Sequence, residues 1–257
     1  MNSYLDRLFS LRDRVAVITG GSSGIGRAIA MALGQAGAAV VVVARDPDRL
    51  ADATSELTQA GCRAFAISAD LGDRDAVVRA ADEAVKPFGP PDILVNSAGL
   101  NFRPPLAALT TGQWDQLMAV NLTAPFLLGQ AFGPVMASRG WGRIINITSQ
   151  QADRAFGNSG GYGASKGGLA SLTRSQSEAW AGTGVCCNAI CPGFVVTPLS
   201  AAVAADPARV RSLEARTMVG RNGLPSDFAG AAVFLASRAS DYVTGQMIKV
   251  DGGFSAT

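Results

Sequence analysis

Seven short runs, apolar nearly end to end and rich in β-branched residues, recur along the chain with longer alanine-rich stretches between them. They are RVAVIT (14–19), AVVVVA (39–44), AFAIS (64–68), DILVN (92–96), RIINIT (143–148), VCCNAIC (185–191) and MIKV (247–250). A strand with one face in water alternates apolar with polar residues, and these runs do not. They read as strands covered on both faces, the condition of strands in a parallel sheet. Parallel neighbours need crossovers, and the intervening stretches supply helices, at roughly 24–36, 47–60, 73–87, 112–138, 162–181 and 226–237. Ser226, directly after Pro225, reads as the N-cap of the last. The expected fold is α/β, a doubly wound parallel sheet of about seven strands flanked by helices on both faces. No repeat or low-complexity linker divides it, so a single domain is expected over 1–257. Residues 194–224 break the alternation. They read as helical in part, and an insertion past the carboxyl end of a strand is where a substrate lid sits.

Composition narrows the function. With 257 residues, 48% apolar and 16% charged, disorder is excluded and a core is readily buried. A net charge of +2 is too small to argue for nucleic acid or an anionic membrane surface as partner. No apolar run approaches the ~18–20 residues that span a bilayer, and MNSYLDRLFSLRDR lacks the continuous apolar core of a secretory signal. The chain has no histidine. That excludes Ser-His-Asp and Cys-His catalysis and removes the commonest zinc ligand, so no metal site is expected. Acid–base chemistry falls to Tyr, Lys, Cys or a carboxylate. Cys186, Cys187 and Cys191 lie in one apolar run and read as small buried strand residues, with Cys62 apart. This usage fits a reducing compartment, and a cytoplasmic protein is expected.

The first strand runs into VITGGSSGIGRAIA, which opens the first helix. Gly20, Gly24 and Gly26 follow the spacing T-G-x3-G-x-G around Ser22, Ser23 and Ile25; Ile29 stands where a strict G-x-G-x-x-G has its third glycine. Glycines between strand one and helix one let the backbone turn tightly and approach a pyrophosphate, and the helix N-terminus offers free N–H groups. A dinucleotide on a Rossmann-type sheet is the expectation. The tip of the second strand chooses between cofactors. A carboxylate there bonds the ribose 2′-OH of NAD(H), whereas an arginine pairs with the 2′-phosphate of NADP(H). The chain reads Ala44, Arg45, Asp46, which favours NADP(H); Asp46 keeps NAD(H) possible, or is the N-cap of the helix that Pro47 begins.

GGYGASKGG places Tyr162 and Lys166 four residues apart. On a helix they share a face, and a neighbouring ammonium favours the phenolate, which would serve acid–base chemistry in a chain without histidine. The pair alone is equally a surface Tyr and Lys on an amphipathic helix. Ser149 ends the strand RIINIT at the carboxyl edge, where its hydroxyl can donate to a carbonyl oxygen as charge develops. Asn121 interrupts the apolar MAVNLTAPFLL and needs partners if buried, as a site residue or a structural cross-link. Asn96 ends the fourth strand, and with Ala98 and Gly99 reads as a floor for a cofactor.

Together these motifs resemble the short-chain dehydrogenase/reductase family in its classical branch. TGGSSGIG matches the family's T-G-x3-G-x-G; NSAG matches N-x-A-G, with Ser97 for the usual second Asn; YGASK matches Y-x3-K, 13 residues after Ser149; CPGFVVT matches the P-G motif. The resemblance runs to the closing VTGQMIKVDGG. It implies that Tyr162 is the general acid/base, that Lys166 bonds the nicotinamide ribose and lowers the tyrosine pKa, that Ser149 polarises the substrate oxygen, and that Asn121 holds a water in a relay to Lys166. It further implies that Asp70 and Leu71 contact the adenine, that Pro192, Gly193, Val195 and Thr197 lie along the nicotinamide, and that the chain forms a homotetramer. The apolar residues of the last strand and its neighbours read as exposed and available for that pairing.

GLNFRPPLAALTTGQWD, INITSQQ and the ending VDGGF resemble the gluconate 5-dehydrogenase group of that family. A small-molecule alcohol or carbonyl, a sugar acid or polyol, is the expected substrate, with Arg103 for a carboxylate and Gln150, Gln151 and Asn158 for hydroxyls. Two other readings stay open here. One is 3-oxoacyl-[acyl-carrier-protein] reduction, with Arg139 and Arg143 as a docking patch. The other is a non-catalytic, cofactor-sensing or scaffolding relative.

Overall fold

The computed structural model describes residues 4–256; the span expected for the single domain reaches past it at both ends, to residues outside the described ones. The chain opens with a short helix, α1 (Tyr4–Phe9), and then alternates strand and helix. The elements are β1 (Val15–Thr19), α2 (Gly24–Gln35), β2 (Ala39–Ala44), α3 (Pro47–Gln59), β3 (Ala64–Ser68), α4 (Arg74–Ala84) and β4 (Ile93–Asn96). After α5 (Thr111–Met118) and α6 (Ala124–Ser138) come β5 (Gly142–Ile147), α7 (Gly160–Trp180) and β6 (Val185–Pro192). Then follow α8 (Ala201–Ala204), α9 (Pro207–Glu214), α10 (Ala229–Ala236) and β7 (Met247–Val250). The strands form one parallel sheet in the order β3-β2-β1-β4-β5-β6-β7. Chain order reverses between β1 and β4, and the carboxyl ends of strands at such a switch point open into a crevice.

Continuous apolarity in the central strands follows from two cores. In β2, Val40 and Val42 pack with Ile29 and Leu33 of α2 and Phe228 and Leu235 near and on α10. Val41 and Val43 turn to the other face, against Val77 of α4 and Leu128 and Phe132 of α6. Each fully buried side chain of this size contributes about 1.5–3 kcal/mol. All residues of β1, β2, β4, β5 and β6 are buried, whereas the edge strands β3 and β7 are only partly so. Met247, Ile248 and Val250 are therefore half-buried rather than exposed; the fully exposed aromatic nearby is Tyr242. Among the described residues no helix is long and apolar enough to cross a membrane.

Three local expectations are corrected. The helix read as 112–138 is interrupted by a wider π-type turn, Ala119–Thr123, in which Ala124 N–H reaches back five residues to the Ala119 carbonyl. Ser226 is not an N-cap. It lies inside a 3-10 turn, Pro225–Phe228, whose entry is held instead by Asp227, accepting from Leu224 N–H at 2.8 Å. Arg139 and Arg143 do not form a docking patch. Arg143 is 1% exposed, donates to the Gly142 carbonyl at 2.8 Å and pairs with Asp241; Arg139 pairs with Asp92 and donates to the Pro90 carbonyl at 2.9 Å. Both guanidiniums close the amino-terminal edge of the sheet, where strand ends leave polar groups that need partners.

Candidate active site

A cleft of about 480 Å³ opens at the carboxyl ends of the strands, over the switch point. Its two sides are tied by Thr19, whose hydroxyl accepts from Ser97 N–H at 3.1 Å and Ala98 N–H at 3.2 Å. The loop after β1 thereby lies against the loop after β4. Gly20 sits at φ +67° with the Ala98 backbone 2.8 Å from where a Cβ would be, and a Cβ on Gly26 would stand 2.4 Å from the Gly20 carbonyl oxygen. Only glycine fits this cradle. Ser23 precedes α2 in extended backbone without capping it through its side chain. The first N–H groups of α2 thus face the cleft without that cap, and Ser22, Ser23, Gly24 and Ile25 line it.

At the far end Arg45 is exposed and lines the cleft beside Asp70 and Leu71. Asp46 is the N-cap of α3: its Oδ1 accepts from Asp48 N–H at 3.1 Å and Arg49 N–H at 3.2 Å, and it pairs with the Arg49 side chain at 3.3 Å. Arg49 also lines the cleft, a second cation that the sequence reading did not pick out. Ala98 and Gly99 form the wall expected of them, but Asn96 lies beneath it. Asn96 is 1% exposed and donates to Asn146 at 2.8 Å, which donates in turn to Thr173 at 2.9 Å and Gln176 at 3.1 Å. It is a buried amide chain holding β4, β5 and α7 together rather than a surface the cofactor touches.

The reacting end is built by β5, α7 and the π-type turn. Ser149 leaves β5 in extended backbone and caps the short turn Gln150–Ala152, accepting from Gln151 N–H at 3.2 Å. Its hydroxyl lies close enough to the Tyr162 phenol to favour the phenolate. Tyr162 and Lys166 stand one turn apart on α7, 6% and 3% exposed, and both line the cleft. Lys166 Nζ donates to the Ile147 carbonyl at 2.7 Å and lies 5.8 Å from the centre of the Tyr162 ring. Burial dominates both groups. It pushes the phenol up to about 12, against the Ser149 hydroxyl and the Arg103 charge, and pushes the Lys166 ammonium down to about 8. The groups that lower the tyrosine here are therefore Ser149 and Arg103, whereas the sequence reading assigned that task to Lys166.

Asn121 sits wholly buried in the π-type turn, behind the cleft wall. Its amide is fully engaged: it accepts from Leu100 N–H at 2.8 Å and donates to the Leu100 carbonyl at 3.0 Å and to Ser165 at 2.9 Å. The side chain is thus the structural cross-link, fixing the loop after β4 against α7. Pro192, Gly193, Val195 and Thr197 line the cleft beyond β6. Residues 194–224 leave and return at one point, where Gly223 N–H donates to the Phe194 carbonyl at 2.9 Å, and between these ends α8 and α9 cover the cleft.

Of the expected substrate contacts, Arg103, Gln150 and Gln151 line the cleft. Asn158 does not: it is exposed, at φ +55°, in the turn before α7. Gln150 is held from behind, donating to Asp251 at 3.1 Å. Gln151 Oε1 and Asn101 Oδ1 are buried acceptors with no hydrogen-bond partner among the described residues. Asn101 and Arg209, on the cleft wall, were not anticipated. Asn101 stands two residues before the arginine in LNFRPP, whereas nothing in RVRSLEAR tells which arginine faces inward.

A family model described as enoyl-(acyl carrier protein) reductase matches residues 20–255. The chain belongs to the short-chain dehydrogenase/reductase family. It is 38% identical over 250 residues to gluconate 5-dehydrogenase of Gluconobacter oxydans, covering 97% of this chain and 98% of that one. It is 40% identical over 248 residues to cis-4-hydroxycyclohexanecarboxylate dehydrogenase of Sinomonas cyclohexanicum, covering 95% and 97%. The crystal structure of a gluconate 5-dehydrogenase from Burkholderia cenocepacia in complex with NADP and tartrate superposes with a TM-score of 0.94 at 38% identity, covering 99% of this chain and 100% of that one. The short-chain dehydrogenase/reductase is thus an oxidoreductase acting on CH–OH groups.

Proposed function

We propose that this protein is an NADP(H)-dependent oxidoreductase that interconverts a secondary alcohol and a ketone on a sugar acid, as gluconate 5-dehydrogenase does. The observation that carries the reading is the set of groups around Tyr162. Arg103 is close enough for its charge to act on the phenol, and the unpartnered acceptors Gln151 Oε1 and Asn101 Oδ1 share its cleft. A buried acceptor without a partner costs about 1–3 kcal/mol, and a substrate hydroxyl removes that cost. A cation for a carboxylate and two acceptors for hydroxyls suit a polyhydroxy acid.

The cofactor fits the chain's own residues: the glycine cradle and the start of α2 for the pyrophosphate, Arg45 and Arg49 for a 2′-phosphate, Asp70 and Leu71 for the adenine. When bound, the nicotinamide supplies or accepts the hydride. The protein supplies the proton and the orientation. In reduction Tyr162, protonated because it is buried, gives its proton to the substrate oxygen as negative charge gathers there. Ser149 donates a hydrogen bond to the same oxygen. In oxidation the phenol loses its proton first, and Ser149 and the positive charge of Arg103 favour the phenolate. Lys166, turned toward the cleft, serves the ribose. Asn121 acts by position: its side chain is spent on Leu100 and Ser165, fixing the loop after β4 against α7.

Residues 194–224 serve as the lid in this reading. The chain forms one domain in a homotetramer in the cytoplasm; its four cysteines are free thiols. Apolar side chains left exposed on and just after α4 and on α6, Val78, Val85, Phe126 and Val135, give the subunits a surface on which to pair. The 3-oxoacyl-[acyl-carrier-protein] alternative loses the two arginines it relied on, since both are paired within the fold. A screen of aldonates, neutral polyols and 3-oxoacyl thioesters with both cofactors tests the reading. NADP+-linked oxidation of an aldonate at the highest kcat/KM is expected; preference for a thioester overturns it.

A further inference from the structure

Two arginines line the cleft near enough for the charge of one to act on the other, and Tyr162 is within the same reach of Arg103. Arg103 comes from the loop after β4 and Arg209 from α9, and both line the cleft. Among the described residues, neither takes part in an ion pair. Burial lowers the Arg103 pKa, Tyr162 opposes that shift, and the charge of Arg209 lowers it further. Like charges this close raise each other's energy until an anion enters between them.

Arg209 is held where it is by local structure. Asp206 caps α9, accepting from Ala208 N–H at 3.0 Å and from Arg209 N–H itself at 3.1 Å, with Pro207 at the first helical position. Leu213, one turn on, is buried in the same wall. The residue is therefore presented to the cleft from a fixed helical turn, near enough for its charge to act on Arg103.

We propose that Arg209 is the second half of a carboxylate clamp: with Arg103 it grips the carboxylate of the substrate, and this contact draws α9 over the reacting end. The proposal rests on the sugar-acid reading above and deepens it. The anion concerned is the substrate's and not the cofactor's. Arg103 acts on Tyr162, at the chemistry, whereas the glycine cradle and the start of α2 already serve the pyrophosphate. A neutral polyol gains nothing from the clamp, so Arg209 is a specificity residue for acids.

The test uses the full chain saturated with NADP+. D-Gluconate affinity is measured by calorimetry, and kcat/KM is measured for D-gluconate and for the neutral D-glucitol. Arg209→Gln is expected to weaken gluconate about tenfold and to lower the gluconate-to-glucitol kcat/KM ratio equally, the loss of one charge-assisted contact. Arg209→Lys restores most of the affinity. Arg211→Gln, on the same helix but off the cleft wall, stays within twofold of the parent. NADP+ affinity of Arg209→Gln, measured alone, also stays within twofold. Unchanged gluconate affinity in Arg209→Gln overturns the clamp, and so does a parallel tenfold loss of NADP+ affinity, which assigns the arginine to the cofactor. Loss in Arg103→Gln with none in Arg209→Gln leaves the sugar-acid reading standing without the clamp. A parent enzyme that prefers glucitol to gluconate overturns the sugar-acid reading itself, and the clamp with it.

Discussion

Lys166 Nζ donates to the Ile147 carbonyl at 2.7 Å, at the carboxyl end of β5, while its near neighbour on α7, Tyr162, lies against Ser149 instead. The two residues share a helical face, yet each is held by a different piece of the segment around Ser149. That arrangement positions them as strand and helix are packed, independently of any contact between them. It also buries a cation whose partner is a neutral carbonyl, and the cation responds by losing affinity for its proton.

A pH dependence of stability follows. The Lys166 pKa, about 8 in the folded chain, lies below the ordinary 10.5. Below pH 8 both states hold the proton. Between about 8 and 10.5 the unfolded chain holds more protons, so the contribution of Lys166 to stability rises with pH across that window. The buried cysteines and Tyr162, all raised, act in the opposite sense once the unfolded groups begin to ionise. A comparison with Lys166→Met cancels them. In urea unfolding without cofactor, the parent is expected to gain about 2 kcal/mol on the variant between pH 8 and 9.5. A constant difference across that range shows that the ammonium is not desolvated.

Removing the acid should stop the chemistry and spare the fold. Tyr162→Phe keeps the ring in its buried slot and deletes the proton. Its kcat is expected to fall about 10²–10⁴-fold, with NADPH affinity changed far less, measured by single-turnover absorbance and calorimetry. Ser149→Ala should lose about 10²–10³-fold, and the double variant much less than the product, because the two hydroxyls act on one oxygen. Unchanged turnover in Tyr162→Phe removes the tyrosine from the mechanism.

Much of this was legible in the sequence, and the misses have physical causes. Runs such as AVVVVA show their state because burial on both faces demands apolar residues at every position. The glycine cradle, Ser149, Tyr162 and Lys166 were legible because each sits at a strand end or helix turn whose place the pattern fixes. The π-type turn at Asn121 was not. One extra residue per turn leaves no trace in an apolar run, and Asn121 read as a site residue or a cross-link is a cross-link in its side chain. Arg143 misled because a charge at a strand start reads as solvated, yet here Asp241 and backbone carbonyls line its burial. Ser226 and Asp227 are adjacent, and residue type alone did not say which would meet the Leu224 N–H. Asn158 and Arg209 lie in segments whose direction depends on tertiary packing, one turning out of the cleft and the other into it.

The carboxyl-terminal segment should govern substrate affinity without touching substrate. Asp251 Oδ2 accepts from Gln150 at 3.1 Å and from Ser255 N–H at 2.9 Å, and its Oδ1 accepts from Gly253 N–H at 3.0 Å. Phe254 stacks on Phe156, ring centres 6.0 Å apart, and Val219 N–H donates to the Gly252 carbonyl at 3.1 Å. One carboxylate thus joins the loop after Ser149 to the turn at 252–255, on which the 194–224 segment rests through Val219. Asp251→Ala is expected to raise the substrate KM several-fold with a smaller effect on kcat, and to cost about 1–3 kcal/mol of stability. Equal losses in KM and kcat for Asp251→Ala and for Gln150→Ala would place Gln150 on the substrate in the transition state instead.

Cofactor choice is expected to rest on Arg45, because the neighbouring carboxylate is already committed. Asp46 caps α3 with one oxygen and pairs with Arg49 through the other, which leaves it a poor partner for a ribose hydroxyl. Arg45 lines the cleft at the tip of β2, with no ion pair among the described residues. A 2′-phosphate gives that charge a partner, and a 2′-OH does not. Calorimetry is expected to show tighter binding of NADP+ than NAD+. In Arg45→Ala, NADP+ affinity should fall about tenfold or more while NAD+ affinity holds within twofold. Arg49→Ala should show a smaller loss, since its charge is already half-neutralised by Asp46. Asp46→Asn retains a good helix cap and should leave NAD+ binding unchanged. Tighter NAD+ binding in the parent, insensitive to Arg45→Ala and lost in Asp46→Asn, would transfer the choice of cofactor from the arginine to the carboxylate beside it.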